Sequence, residues 1–434
     1  MNHAPYETRP LKCWPKAREL RLRYYEELRT AKEQGKLVVA GSAAGVSSLI
    51  AGLGNAVYLG GETFAGSIAV DTVFSSECSK AAEAHGYASD ICSYSLNYLG
   101  ALILDRAPWG GRFPRPDLCL TWHNCDTHAK WFQLVSEYCH IPFMGLERPT
   151  LPLEVRPDQQ LKYIVGQMHD CIQWLERVTG KKYDDEKLIE AVRNELYTTW
   201  LWADIVCYNR AIPAPLDMRQ ILTLMTPGIV LPHRSETVQY LLALRDEVRL
   251  RVEQGIAAMS NERVRLWEDN LPLWHSLGVY KHLEHQGAIL VGNHQYFAMT
   301  GQLVERPDGR FGPADDPTPL AQSIHSRDDA LQVLARWDME RYGNTRRRIP
   351  PTSKLRGHLL VKMCREWHAD GVLMHLNRGC AGLSFGQMED RLVLQEAGIP
   401  VATFEGNMAD KRGFDEAQFI ATMDGFMSIL TGGK

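Results

Sequence analysis

Three cysteines carry the clearest chemical signal in the sequence. Cys92 stands in Asp90-Ile91-Cys92-Ser93-Tyr94, Cys125 opens Cys125-Asp126-Thr127, and Cys380 closes the run from Gly371 to Gly379. Each follows an apolar or small-residue run, at the end of an expected strand or the start of an expected helix. A helix N-terminus favours a thiolate over a thiol. Thiolates from three separate loops suit one shared ligand. The candidate is an iron–sulfur cluster held by three sulfurs, with one iron left open. The bland alternative is that all ten cysteines, at 13, 78, 92, 119, 125, 139, 171, 207, 364 and 380, are small buried hydrophobes. No CxxC pair occurs, which argues against a zinc ribbon or a ferredoxin-type site. A metal centre here must be assembled from distant loops.

Other residues join this set with two readings each. Ser42, in Gly41-Ser42-Ala43-Ala44-Gly45, is either a polar turn residue or N-cap, or a hydroxyl reaching the open iron directly or through water. His123 and His128 flank Cys125 and could move protons. His294, after Gly292-Asn293, is a similar case. Asp126 suits a helix cap. His375, Glu405 and Asp410 read as structural. A Walker A loop, a G-x-G-x-x-G turn and HExxH are absent, and Gly41 to Gly45 has the wrong spacing for a nucleophile elbow. A standard ATP or NAD loop is therefore excluded.

The elements that must position these residues read as α/β, then helical, then α/β. A charged helix over 14–35 leads to a strand at 36–40, a tight turn at 41–45, a helix at 46–53 and a second strand near 56–59. Residues 76–103 are helical in outline, with Cys92 near a helix start and Gly100 interrupting. Strands follow at 116–122 and 141–146, with a helix from 127 between them. From 157 to about 260 the pattern is helical, with Leu161, Ile164, Val165, Met168, Ile172 and Leu175 on one face. Strands return at 287–292, 371–376 and 399–404, a long surface loop is expected at 305–325, and a helix closes the chain at 416–430. The predicted fold class is α/β: two parallel-sheet, flavodoxin- or Rossmann-like domains at 1–155 and 286–434, with a helical middle domain at 156–285. A chain of 434 residues suits two or three domains. Its net charge of −4 argues against nucleic-acid and anionic-membrane partners. With no membrane-length apolar run and no secretory signal, the expected location is the cytoplasm.

In these residues the sequence resembles the 2-hydroxyacyl-CoA dehydratase / benzoyl-CoA reductase family. The matching pieces are Ile91-Cys92-Ser93-Tyr94 with Leu99-Gly100, Cys125-Asp126-Thr127 with Lys130, and Cys380 followed by Glu396-Ala397-Gly398-Ile399-Pro400 and Glu405. Residues 157–189 are similar to the family's middle helices, and the likeness spans roughly 36 to 430. The resemblance implies one [4Fe–4S] cluster on Cys92, Cys125 and Cys380, with acyl-CoA as substrate. It implies pairing with a related, cluster-bearing subunit as a heterodimer. It also implies a separate ATP-hydrolysing iron–sulfur activator, with ferredoxin as upstream donor. In the reductase branch electrons enter the ring of benzoyl-CoA and give a cyclic dienoyl-CoA; in the dehydratase branch one electron makes a ketyl radical and water leaves. The long N-terminus, the 305–325 insertion, Val46-Ser47-Ser48-Leu49 after the first turn and Asn293-His294-Gln295-Tyr296 favour the benzoyl-CoA reductase branch. An (R)-2-hydroxyacyl-CoA dehydratase subunit and a non-catalytic electron-relay subunit are the alternatives. Ser42 and His123 are the candidate catalytic residues.

Overall fold

The computed structural model describes residues 5–42, 46–149, 156–345 and 355–432. The turn at 43–45 and the basic stretch at 346–348 lie outside them. The first part of the chain holds α1 (Trp14–Thr30), β1 (Leu37–Gly41), α2 (Ser47–Ala51), β2 (Ala56–Gly60), α3 (Gly61–Val70), α4 (Thr72–Ala84), α5 (Ser93–Ile103), β3 (Leu118–Trp122), α6 (Asp126–Cys139) and β4 (Phe143–Leu146). The middle is helical: α7 (Pro157–Thr179), α8 (Asp185–Cys207), α9 (Met218–Leu224), α10 (Thr226–Val230) and α11 (Ser235–Glu253). The last part holds β5 (Val264–Asp269), α12 (Tyr280–His285), β6 (Ala288–Asn293), α13 (His294–Ala298), β7 (Leu303–Glu305), β8 (Phe311–Pro313) and α14 (Thr318–Gln322). It ends with α15 (Arg327–Thr345), α16 (Leu355–Glu366), β9 (Gly371–Asn377), α17 (Ala381–Ser384), α18 (Gln387–Glu396), β10 (Val401–Gly406) and α19 (Glu416–Gly432).

The α/β expectation holds, with two four-stranded sheets, each wholly parallel. The first runs β2-β1-β3-β4 and the second β10-β9-β5-β6. In each sheet the first strand in sequence lies between the second and the third. The two sheets therefore share one topology. The apolar runs follow from burial on both faces. Val38 and Ala40 of β1 join one core, with α1, α5 and α6, while Val39 joins another, with α7, α8 and α15.

Three local readings change. Residues 76–103 hold the end of α4 and all of α5, separated at 85–92, with Cys92 at a helix start as expected. Gly100 does not break α5; it lets the pair touch, since a β-carbon there would lie 1.9 Å from the Cys78 carbonyl oxygen. The expected loop at 305–325 contains the antiparallel hairpin β7–β8 and α14. The strand β5 follows the middle helices directly and precedes β6, where the sequence pattern shows no strand before 287.

Candidate active site

In an open parallel sheet a crevice forms at the strands' carboxyl ends where the strand order reverses. In the first sheet that point lies between β1 and β3, and in the second between β5 and β9. Ser42 follows β1, Cys125 follows β3 and Cys380 follows β9. The two cysteines thus occupy matching positions in the two units. Cys92 arrives differently, from the loop between α4 and α5. All three are N-cap residues, of α5, α6 and α17 respectively.

The three loops meet. A β-carbon on Gly382, two residues past Cys380, would stand 3.5 Å from the Cys125 β-carbon. Burial pushes the Cys92 thiol up, and the nearby thiols of Cys380 and Cys125 push it further. The three sulfurs therefore share one electrostatic neighbourhood. Burial likewise pushes up the core thiols of Cys78, Cys119, Cys171 and Cys364.

Cys125 goes the other way. Burial raises its thiol, but the charge and hydrogen bonding of His128 outweigh burial and hold it below the ordinary value. The Cys125 Sγ lies 3.6 Å from His128 Nδ1, and His128 Nε2 lies 2.8 Å from Glu62 Oε1. Burial opposes a charge on His128, but Glu62 and Cys125 together hold the imidazole up at about 10. The ring is fixed between neighbours, stacked on Trp131 with centroids 6.0 Å apart. Glu62 escapes a motif search, yet it sits in the first turn of α3 just past β2, where a carboxylate is favoured.

The Cys380 loop is fastened by asparagines. Asn377 Oδ1 accepts from Gly379 N at 3.1 Å, and Asn377 Nδ2 donates to Asn270 Oδ1 at 3.3 Å. Gly382-Leu383-Ser384-Phe385-Gly386 does match the G-x-S-x-G spelling. The Ser384 hydroxyl, however, donates to the Asn377 carbonyl at 2.8 Å and accepts from Asn270 Nδ2 at 3.1 Å, so it ties the loop down. Beneath it the Arg356 guanidinium is held by Asp269 and Asp390 and donates to the Leu383 carbonyl at 3.1 Å. The Arg356 cation also lies within electrostatic reach of Cys380.

An aromatic wall closes one side. The Trp274 indole donates to Tyr94 OH, and Trp274 meets Tyr296 edge-on at 6.2 Å. Among the described residues the buried hydroxyls of Ser42, Ser93 and Tyr296 have no hydrogen-bond partner. Two of them adjoin the site's loops, and such orphaned groups fit a site shaped for a ligand.

The remaining sequence candidates separate. Ser42 is fully buried and does not cap α2, whose N-cap is Val46; its backbone N–H donates to Thr121 Oγ1 at 3.2 Å. Asp126 is in the first turn of α6, not its cap. His123 Nδ1 pairs with Glu147, on the strand β4 side, whereas His128 touches Cys125. His294 is buried at the start of α13. His375 is a core residue, with Nδ1 2.6 Å from the Leu271 carbonyl oxygen. Glu405 pairs with Arg378, and Asp410 with Arg412.

Among the described residues no three His, Cys, Asp or Glu side chains would hold a single metal ion. A multi-iron cluster makes a different demand, because each thiolate binds its own iron and the sulfurs stand apart. Thiols at three helix starts, one biased toward thiolate and another in electrostatic reach of Arg356, fit that demand.

Over residues 43–430 the chain matches the family described as 2-hydroxyglutaryl-CoA dehydratase, D-component, and it belongs to that family. It is 25% identical over 363 residues to the alpha chain of (R)-2-hydroxyisocaproyl-CoA dehydratase from Clostridioides difficile, covering 82% of this chain and 81% of that one. It is 25% identical over 362 residues to one subunit of benzoyl-CoA reductase from Thauera aromatica, covering 80% and 78%. The alpha chain of (R)-phenyllactyl-CoA dehydratase from Clostridium sporogenes is 24% identical over 357 residues, covering 81% and 80%. The family thus takes in both dehydratases and a reductase, and each of these relatives is named as a subunit of a larger enzyme. No helix among the described residues is long and apolar enough to cross a membrane.

Proposed function

We propose that this chain is the cluster-bearing subunit of an aromatic acyl-CoA reductase of the benzoyl-CoA type, with a [4Fe–4S] cluster on Cys92, Cys125 and Cys380. The observation that supports the reading is that the Cys125 and Cys380 loops, at the carboxyl ends of the two sheets, touch each other and lie close enough to act on the Cys92 thiol. When bound, the cluster supplies single electrons at low potential and one iron with an exchangeable position. The chain's own residues do the rest. Tyr94, Trp274 and Tyr296 keep water from one side of the site, which protects reactive intermediates. The Ser42 hydroxyl, buried and without a hydrogen-bond partner just past β1, is assigned to reach the ligand. His123, paired with Glu147, is assigned the proton-transfer role. A related subunit, an ATP-hydrolysing activator and a ferredoxin donor in the cytoplasm complete the system.

The likeness to the benzoyl-CoA reductase chain supports the reductase branch. The likeness to dehydratase alpha chains, at similar identity, supports a second reading as a radical (R)-2-hydroxyacyl-CoA dehydratase subunit. The test is anaerobic purification with the candidate partner subunits, iron counting, and turnover with ATP and a strong reductant. About four irons per chain, lost on Cys92→Ala, Cys125→Ala or Cys380→Ala, are expected. ATP-dependent loss of the benzoyl-CoA aromatic absorbance decides for the reductase. Dehydration of a 2-hydroxyacyl-CoA instead decides for the sister branch. Iron without turnover of either would move the chain to an electron-relay role.

A further inference from the structure

The two ring nitrogens of His128 face two acceptors. Nε2 lies 2.8 Å from the Glu62 carboxylate, and Nδ1 lies 3.6 Å from the Cys125 sulfur. A cysteine sulfur that holds iron carries no proton, so in a hydrogen bond with it the ring nitrogen is the donor. The ring cannot turn away easily: it is buried, and it stacks against Trp131 and Phe132 of its own helix. Cys125 is the N-cap of α6 and His128 lies in its first turn. The helix itself therefore sets the sulfur-to-ring spacing, and Glu62, from α3, sets the ring's rotation.

We propose that His128, steadied by Glu62, is a positioning residue that hydrogen-bonds the Cys125 sulfur and raises the reduction potential of the centre that Cys125 helps to hold. The inference rests on the cluster reading above. Hydrogen bonds to ligand sulfurs draw off negative charge and stabilise the reduced, more negative state of an iron–sulfur centre. The Cys125 sulfur meets a fixed imidazole of its own helix. Cys92 and Cys380 lie beside the aromatic wall and the Arg356 cation instead. The corner of the centre at Cys125 would thus be tuned by a ring that a carboxylate holds in place.

Two measurements on the full chain test it, each on wild type, His128→Leu and Glu62→Gln. The first uses iron-free protein and reads the alkylation rate of Cys125 by iodoacetamide at neutral pH, resolved by peptide mass spectrometry. His128→Leu should slow Cys125 about tenfold, a loss in line with one charge-assisted hydrogen bond, and leave Cys380 unchanged; Glu62→Gln should slow Cys125 less. The second uses iron-reconstituted protein in a fixed redox buffer. His128→Leu should lower the ratio of reduced to oxidised centre about tenfold, which for one electron is 59 mV. Unchanged Cys125 alkylation and an unchanged ratio in both variants would overturn the proposal. Should wild type take up no iron, the cluster reading fails, and the alkylation rates still decide whether His128 holds the sulfur. Should His128→Leu not fold, Glu62→Gln carries both measurements.

Discussion

Cys125 is chemically distinct because of what stands one helical turn away. The sequence names the three cysteines, but the choice of His123 over His128 drawn from it does not pick the histidine that touches Cys125. That choice depends on where the helix begins. Once Cys125 is the N-cap, residue 128 shares its turn and residue 123 belongs to the strand end. Glu62 was out of reach, since its contact with His128 joins residues far apart in sequence. A buried carboxyl elsewhere gives a pH test. Burial, partly opposed by hydrogen bonds from Tyr280 and Asn293, pushes Glu268 up to about 7. The folded state then holds a proton that the unfolded chain releases above its ordinary value of 4.5. Stability from this group is full below pH 4.5 and falls as pH rises through about 7, by on the order of 3 kcal/mol. Urea midpoints should fall across that window in wild type and stay flat in Glu268→Gln.

Elements were legible wherever burial makes an apolar run. β1, β3, β6 and β9 are such runs. β5 is not: Val264-Arg265-Leu266-Trp267-Glu268-Asp269 is half charged, yet all six residues are buried. Its polar side chains find partners inside. The Arg265 guanidinium pairs with Glu262 and donates to the carbonyls of Trp367, Ala211 and Asn209, while Asp269 holds Arg356. A rule that reads buried strands from hydrophobicity misses a strand whose charges are met inside the fold, Arg265 by Glu262 three residues away and Asp269 by Arg356 far along the chain. The α4–α5 pair supplies an element-scale prediction. Gly100→Ala forces a methyl against the Cys78 carbonyl at 1.9 Å. The helices must part, costing about 1–3 kcal/mol, which a lowered urea midpoint would show. Since α5 begins at Cys92, the same variant should also retain less iron; unchanged stability would refute the close-approach argument.

At the scale of the molecule, the two sheets repeat one topology, and their third-strand loops meet. The likeness of the two ends was expected from the order of elements. Their junction was expected only through the shared ligand; the contacts that make it, such as those of Ser75 and Asn97 with the Ala409 carbonyl at 2.9 and 3.1 Å, join residues far apart in sequence and were not legible. The middle helices lock on through a buried ionic chain. Arg148 reaches both Asn124, next to Cys125, and Asp338 of α15, while Arg341 pairs with Asp338 and Glu195. Arg148→Met strips Asp338 of one of its two cations in a buried setting. A loss of about 3–5 kcal/mol is expected by chemical denaturation, and a value near zero would mean that Arg341 suffices alone. Iron loading should raise the thermal midpoint of wild type, because binding to the native state alone stabilises it. Cys380→Ala should cancel that rise.

Cys92 and Cys125 come from one α/β unit and Cys380 from the other. A ligand shared by all three is a clasp between halves as well as a chemical centre. On the proposed cluster reading, its destruction by oxygen would remove that tie and leave the halves joined by contacts such as those of Ser75 and Asn97 with Ala409.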